Sequence, residues 1–404
     1  MEFGETVRPF DSFTAVYKML TLAGYYKLLK DPKNKFKRIC HQAYRPLAFL
    51  VAVVYNIRDN INDMFDGMML EIPLANLIVK YLTLNLQSAK IEKIHDLLNN
   101  PIFAAHSKKD EELLLENTKN MHRLSMIMNI AITVGATIWP SSYFVKRYHD
   151  ETAVVTSYVP FETNTWTRFT WSVVIEVIPL LWIGYGHIAL DCVVATYYAQ
   201  AGVQLRIIKY NLQRLFYDEN DILCNRSLTR VQYTDVVDDN LKERFVHYVK
   251  RYETLTWYDV DEIFNISMSI QFFTSSVSLC VVIYRMICKL LITFQINVLS
   301  VPFVFMALLL MILLTQVFLY CHYGNLVQYE SQAINDSIYQ SDWLSASPQF
   351  RRLLLIAMTR WSRILTPRVT GFIPLSLTTF ISVKNLFTLY IFDFLYLREY
   401  YTLK

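Results

Sequence analysis

Ionisable side chains interrupt several of the long apolar stretches of this sequence. Lys80 lies in one such stretch, and His187 and Asp191 lie four residues apart in another. If these stretches cross a membrane, an ionisable group there must pair with another helix or reach water, so it marks an interhelical contact or a functional site. We predict that His187 is a hydrogen-bonding group between helices rather than a catalytic base.

Polar residues also recur at helical spacing near the carboxyl end, at Ser376, Thr379, Ser382, Asn385 and Thr388. Polar side chains on a membrane helix either bond to neighbouring helices or face water. The spacing alone leaves both alternatives open, helix packing and the lining of a pore.

The sequence lacks the motifs of the common enzyme classes: GxGxxG, GxxxxGK[ST], HExxH and GxSxG do not occur. Only nine glycines are present in 404 residues, which argues against a phosphate-cradling loop. The six cysteines stand singly and no histidine lies at metal-ligand spacing, so neither a disulfide scaffold nor a metal site is predicted. We therefore expect a protein that is not an enzyme and has no metal or other cofactor.

The composition indicates a membrane protein, because 53% of the residues are hydrophobic, only 18% are charged and the mean hydropathy is +0.24. A net charge of +4, dispersed along the chain, gives no sign of a nucleic-acid partner. A bilayer core about 30 Å thick requires about 20 apolar residues in a helix. We predict an all-α polytopic fold with seven spans: Arg45–Ile57, Met68–Leu86, Leu124–Phe144, Ser172–Ala199, Ile263–Tyr284, Leu290–Cys321 and Val369–Phe392.

The distribution of Lys and Arg predicts the orientation of these spans. Eight basic residues precede span 1 and nine lie between spans 4 and 5, whereas the loop after span 1 holds only Arg58. Basic residues near the membrane stay in the cytosol. The amino terminus is therefore predicted to be cytosolic and the carboxyl terminus extracellular, which disfavours a metabotropic seven-helix receptor. Apolar spacing also predicts cytosolic helical segments at Lys90–Leu98, Glu111–Leu124 and Tyr197–Phe216.

Particular residues near the end of the chain carry a family likeness. They are Leu365-Thr366, Gly371-Phe372 and the run PLSLTTF from Pro374 to Phe380. This pattern resembles the insect odorant receptor family. Gustatory receptors share the architecture but typically carry Thr-Tyr and then Gln-Phe, where this chain has Thr379-Phe380 and Asn385-Leu386. The odorant class is favoured, and a gustatory-receptor-like channel is the alternative.

The resemblance implies an odorant-gated, non-selective cation channel subunit in the plasma membrane of sensory-neuron dendrites. Such a subunit binds a small volatile odorant and assembles with a co-receptor as a heterotetramer. This chain is more like the tuning subunit, because the co-receptor is longer between spans 4 and 5. The implied regions are 1–44 (cytosolic), 45–322 (spans 1–6 with the ligand-binding bundle), 323–368 (cytosolic anchor) and 369–404 (pore helix and extracellular tail).

Span 7 would line the pore, with Thr379, Val383 and Phe387 as pore or gate residues. An apolar ring at Val383 and Phe387 could gate by dewetting. Lys384 arrives one position earlier than the family's basic residue and is expected to snorkel or pair away from the pore wall.

The resemblance also places an odorant pocket in the outer half of spans 2 to 6. The candidate residues are Met68, Ile72, Gly135, Trp139, Tyr143, Ile175, Ile178, Trp182, Phe273, Val277, Cys280, Tyr284, Phe294 and Val298. Gly135 and Trp139 form the most promising pair, because a missing side chain would open space beside an aromatic wall. Ordinary packing between helices remains the alternative for each residue.

The predicted cytosolic helix at Phe350–Leu365 has an apolar face that includes Leu354, Trp361 and Leu365. Its arginines are available for the opposite face. The resemblance implies a subunit anchor, and the alternative is a helix that lies on anionic lipid headgroups.

Overall fold

The computed structural model describes residues 8–22, 25, 64–149, 161–217, 235–256, 260–292, 301–385 and 389. The described chain is helical apart from one short hairpin. The helices are α1 (Thr14–Leu22), α2 (Met64–Leu86), α3 (Ser88–Leu98), α4 (Lys108–His149), α5 (Trp166–Gln213), α6 (Asp235–Thr256), α7 (Val260–Ile292), α8 (Val301–Tyr339), α9 (Pro348–Trp361) and α10 (377–385). The antiparallel hairpin pairs β1 (Arg368–Val369) with β2 (Ile373–Pro374). Short 3-10 turns lie at Pro9–Phe13, Pro101–Phe103 and Trp343–Ser345.

Several helices are longer than a bilayer requires. Helix α4 has 42 residues, α5 has 48 and α8 has 39. At about 1.5 Å per residue these helices are roughly 60 to 70 Å long, about twice the hydrocarbon thickness. The predicted helical segments Glu111–Leu124 and Tyr197–Phe216 are continuous with α4 and α5 as far as Gln213, so these helices project beyond their apolar portions.

In the part of the chain that the structure describes, three helices are long and apolar enough to cross a membrane: Lys108–His149, Glu262–Met286 and Phe303–Tyr339. Large apolar side chains on these helices lie on the surface, such as Ile130, which is 55% exposed, and Met311, which is 63% exposed. Extended apolar surface is unusual on a soluble monomer and is typical of contact with lipid. Span 1 (Arg45–Ile57) lies outside the described residues, so the count of seven stays a prediction.

Helix α5 forms the centre of the bundle and packs against α8 and α4, while α2 packs against α7. Helix α6 is not among the predicted segments, although Leu241, Phe245, Tyr248, Tyr252 and Leu255 recur at helical spacing and are all buried. These side chains hold α6 against the end of α5 and against α9.

The buried guanidinium of Arg251 fastens α6 to its neighbours. Its Nε and Nη2 donate to Gln204 Oε1 at 3.0 and 2.6 Å, and Nη2 also donates to the Phe103 carbonyl at 3.2 Å. Burial lowers the pKa of Arg251 to about 10, so the group is still charged at neutral pH. This one side chain therefore joins α6, α5 and the turn at Pro101–Phe103.

The last helix begins later than predicted. Residues from Val369 onward form the hairpin, whose turn places Thr370 at φ 58° and Gly371 at φ 74°. Ser376 then caps the helix, because its Oγ accepts from the Thr379 N–H at 3.2 Å. Helix α10 therefore starts at 377, since positive φ values and Pro374 are incompatible with a helix that begins at Val369.

Candidate functional site

A groove of about 500 Å³ lies between α4 and α5. Its walls are almost wholly apolar, and the floor includes Val173, which is buried. The lining residues are Thr133, Ala136, Thr137, Pro140, Ser141 and Phe144 of α4 and Val173, Val174, Val177, Ile178, Leu181 and Tyr185 of α5. A cavity of this size and character is suited to a small organic molecule.

The polar atoms of the groove are hydroxyl groups. Thr133 Oγ1 and Tyr185 Oη lie 2.6 Å apart and join the two helices. Thr137 and Ser141 donate to the carbonyls of Val134 and Ile138, at 2.8 and 2.5 Å. The groove therefore combines apolar walls with a few hydroxyls in fixed positions.

Of the fourteen predicted pocket residues, Ile178 lines this groove. Gly135 and Trp139 lie on the neighbouring face of α4, toward α8. A Cβ on Gly135 would lie 2.9 Å from Leu308 Cδ2, and the Trp139 ring lies 6.2 Å from that of Phe305. The expectation of open space at Gly135 is wrong, because Leu308 fills it.

The other predicted pocket residues are dispersed. Tyr143 is buried beside Phe169 and Val173, under one end of the groove, and Trp182 stacks on Tyr25 at 4.4 Å. Phe273 is 72% exposed and Tyr284 45% exposed. Four more predicted residues do not line the groove either: Ile72, Ile175 and Val277, which are partly buried, and Cys280, which is exposed. The structure does not describe the side chain of Met68, nor Phe294 and Val298.

The pocket residues predicted on α7 stay a prediction, because the sequence does not show which face of that helix packs inward. Leu279, Val282 and Ile283 are buried toward its carboxyl end, and they contact Leu313 of α8. Phe273 and Tyr284 project from other faces of the helix. The groove residues that the sequence interpretation missed, Thr133 and Tyr185 among them, left a weak signal, since hydroxyl residues recur along α4.

A second feature of the bundle is a buried polar network between α2, α5, α7 and α8. The Lys80 ammonium donates to Asp191, and the Tyr320 hydroxyl donates to the same carboxylate. Lys80 and Asp191 have side chains 3% and 0% exposed. The prediction that the ionisable groups of the fourth span face other helices or water is confirmed for Asp191, whose partner Lys80 lies on α2.

His187 lies at the centre of this network. Its Nδ1 faces Lys80 Nζ and Gln316 Nε2, each at 3.2 Å, and its Nε2 lies 3.1 Å from the Asn76 amide. Asn76 in turn donates to Gln271 of α7. The ring is therefore a hydrogen-bonding group between helices, as predicted.

The predicted pore residues divide between different environments. Val383 packs against the α7 and α8 cluster formed by Leu279, Val282, Ile283 and Leu313, within its own subunit. Thr379 donates its hydroxyl to the Pro374 carbonyl at 2.7 Å, while Ser382 and Asn385 are exposed. Phe387 lies outside the described residues. The pore therefore stays a prediction, with Ser382 and Asn385 among the exposed polar residues of α10.

The predicted anchor residues face inward. Leu354 and Trp361 are 1% and 2% exposed, and the Trp361 ring lies 6.0 Å from Phe245 of α6. Leu365 is partly buried and donates its N–H to Ser331 Oγ at 3.0 Å. The predicted apolar face exists, but α6 of the same chain covers it. The apolar side chains left on the surface of α9 include Leu355, 55% exposed, and Ile356, 69% exposed.

This sequence and its architecture match those of known proteins. A family model described as "7tm Odorant receptor" matches residues 60–387. The structure of the insect olfactory receptor OR5 from Machilis hrabei, in complex with eugenol, superposes with a TM-score of 0.72 and 15% identity, covering 95% of this chain and 97% of that chain. At this identity the superposition shows a shared fold.

Curated relatives agree over shorter segments. Odorant receptor 19a of Drosophila melanogaster is 33% identical over 122 residues, which is 30% of each chain. Odorant receptor 85c of the same organism is 30% identical over 159 residues, 38% of each chain. Because the family model spans most of the chain, from residue 60 to residue 387, this protein belongs to the odorant receptor family.

Proposed function

We propose that this chain is the tuning subunit of an odorant-gated cation channel. It binds a small volatile organic molecule in the groove between α4 and α5, and it assembles with a co-receptor in a sensory-neuron plasma membrane. The groove carries the proposal, because about 500 Å³ of apolar space with a few hydroxyl groups is typical of a site for a small, largely apolar ligand.

The predicted orientation adds support. The charge pattern places the start of α4 in the cytosol, so residues 133–144 fall in the outer half of the membrane. By the same charge pattern, the facing residues 173–185 fall in the same half. An odorant dissolved outside the cell could therefore reach the groove without crossing the bilayer.

The test of this proposal is current recording with and without the co-receptor, over a panel of volatiles. We expect ligand-evoked cation current when both chains are expressed and none from this chain alone. Current that requires no co-receptor, or a response carried only by a G protein, would contradict the proposed assembly.

Filling the groove should weaken ligand sensitivity. Ala136→Trp places an indole in the space that a ligand would occupy, so we expect the concentration for half-maximal current to rise by about tenfold or more, a cost of about 1.4 kcal/mol in binding. Ala131→Trp is the matched control, since Ala131 lies on the same helix but not in the groove. Equal losses in both variants, at equal surface expression, would argue against the groove as the site.

The exposed apolar residues of α9 are proposed as part of the subunit anchor in place of Leu354 and Trp361. Leu355→Arg combined with Ile356→Arg should weaken assembly with the co-receptor without unfolding the chain, because both side chains are on the surface. Co-purification of tagged subunits from detergent measures the effect, and Gln349→Arg, an exposed polar position of the same helix, is the control.

The alternative for α9 is contact with anionic lipid headgroups. The double arginine variant would then strengthen membrane contact and leave co-purification unchanged. Unchanged recovery of the co-receptor would therefore contradict the proposal that this surface is part of the subunit anchor.

A further inference from the structure

The hydrogen bonds that the groove hydroxyls make within the protein limit what they can still offer to a ligand. Each hydroxyl has one proton to donate and two lone pairs to accept. Thr137 uses its proton on the Val134 carbonyl at 2.8 Å, and Ser141 uses its proton on the Ile138 carbonyl at 2.5 Å. Both oxygens keep only acceptor capacity toward the groove.

Thr133 and Tyr185 likewise use their hydroxyl protons in hydrogen bonds within the protein. Thr133 Oγ1 donates to the Asn129 carbonyl at 2.8 Å, which occupies its proton. The 2.6 Å contact with Tyr185 Oη must then use the tyrosine proton. The reverse direction would forfeit the bond to Asn129, so the arrangement with Tyr185 as donor satisfies one more hydrogen bond.

All four hydroxyls among the lining residues therefore donate their protons to other groups of the protein. The charged network around Asp191 contributes none of the lining residues. The remaining lining side chains are apolar and carry no donor. Among the lining residues that the structure describes, a ligand meets lone pairs and hydrocarbon but no available proton.

We propose that the groove selects small apolar molecules that carry a hydrogen-bond donor, namely alcohols and phenols, over donor-free analogues such as ethers and esters. This inference rests on the proposed function and names the ligand class of the same site. A ligand hydroxyl can donate to Tyr185 Oη while its carbon skeleton lies against Val173, Val177 and Leu181. An ether oxygen placed there would face lone pairs and lose the hydrogen bond that it makes with water.

Matched pairs of probes test the preference: hexanol against its methyl ether, octanol against its methyl ether, and propylphenol against propylanisole. The receptor is expressed with the co-receptor, and half-maximal concentrations are measured by current recording. We expect the donor compound of each active pair to be about tenfold more potent, the ratio that one net hydrogen bond supplies. A wild-type receptor whose active compounds are mostly ethers, esters or ketones overturns the inference.

Two isosteric variants should narrow the potency ratio in different ways, the first through the donor compounds and the second through the ethers. Tyr185→Phe removes an acceptor, so the donor compounds should lose about tenfold in potency while the ethers are unchanged. Thr133→Val removes the partner that takes the Tyr185 proton, which then becomes available to a ligand. The ethers should gain in potency and the ratio within each pair should narrow by about tenfold. A role of the Thr133–Tyr185 bond in helix packing alone would lower all responses together.

Thr315→Val is the matched control. Thr315 lies on α8, donates to the Met311 carbonyl at 2.7 Å and is not among the groove residues. It should change no ratio. If Ala136→Trp lowers the response to both members of a pair but Thr133→Val leaves their ratio unchanged, the donor preference is wrong and the site stands. If Ala136→Trp changes neither response, the site itself is wrong.

Discussion

An Asp191→Asn variant of this receptor should largely fail to reach the cell surface. Lys80 is buried and would lose the carboxylate that now faces it. Removing one partner of a buried ion pair costs about 3–5 kcal/mol. A typical domain is stable by only about 5–15 kcal/mol, so the loss is large. Surface biotinylation, normalised to total protein, measures the defect, and Lys80→Met should give a similar one.

The double variant Lys80→Met with Asp191→Asn should recover most of the surface expression. The amide at position 191 can still accept from the Tyr320 hydroxyl and can donate to His187 Nδ1, which loses the lysine donor. No charge is then left buried in this pair, and replacing such a pair by neutral groups is often tolerated.

An exposed pair of similar geometry provides the control. Lys90 Nζ lies 2.6 Å from Glu262 Oε1 and joins α3 to α7, with side chains 47% and 59% exposed. A surface pair contributes only about 0–1 kcal/mol, so Lys90→Met should leave surface expression near wild type. A double variant no better than either single one would show that the pair acts through its polar contacts and not through its charges.

The sequence predicts the membrane helices well because apolar runs and their length are local properties. The described spans appear as α2, α4, α5, α7 and α8, and the segments near residues 111–124 and 197–213 continue them as helix. One exception is span 6, predicted from Leu290, since residues up to Ile292 belong to α7 and α8 is described from Val301. Another is the end of the chain, where the hairpin at Thr370 and Gly371 replaces a predicted helical turn. There a local signal, the nearby prolines at 367 and 374, would have corrected the prediction.

Side-chain partners could not be predicted in the same way, because they depend on how helices rotate against each other. Lys80 and Asp191 are 111 residues apart in the sequence, and the residues around each of them do not indicate that the two form a pair. The spacing correctly predicts an apolar face of α9 that carries Leu354 and Trp361. It does not predict that α6 covers this face, although Leu241, Phe245 and Tyr248 recur at helical spacing in α6.

The Gly324→Ala variant should reach the surface but carry little current. Gly324 of α8 contacts Leu375, the residue before the cap of α10, and an added Cβ would lie 2.8 Å from the Leu375 carbonyl oxygen and against its Cβ. Backbone cannot move aside as a side-chain tip can, so the segment that leads into α10 must shift. That segment is held on its other side by the Thr370 N–H, which donates to Asn265 Oδ1 of α7 at 2.7 Å.

If α10 lines the pore, this shift should reduce the maximal ligand-evoked current by about tenfold or more, since bistable interfaces amplify small displacements. Recordings with the co-receptor, scaled to surface protein, measure it. Gly184→Ala on α5 is the matched control, because its added Cβ would lie at an ordinary contact distance of 3.5 Å from Ile132. Normal current in Gly324→Ala would show that the entry to α10 is free to adjust, and the coupling of α8 to the pore would then have to lie elsewhere.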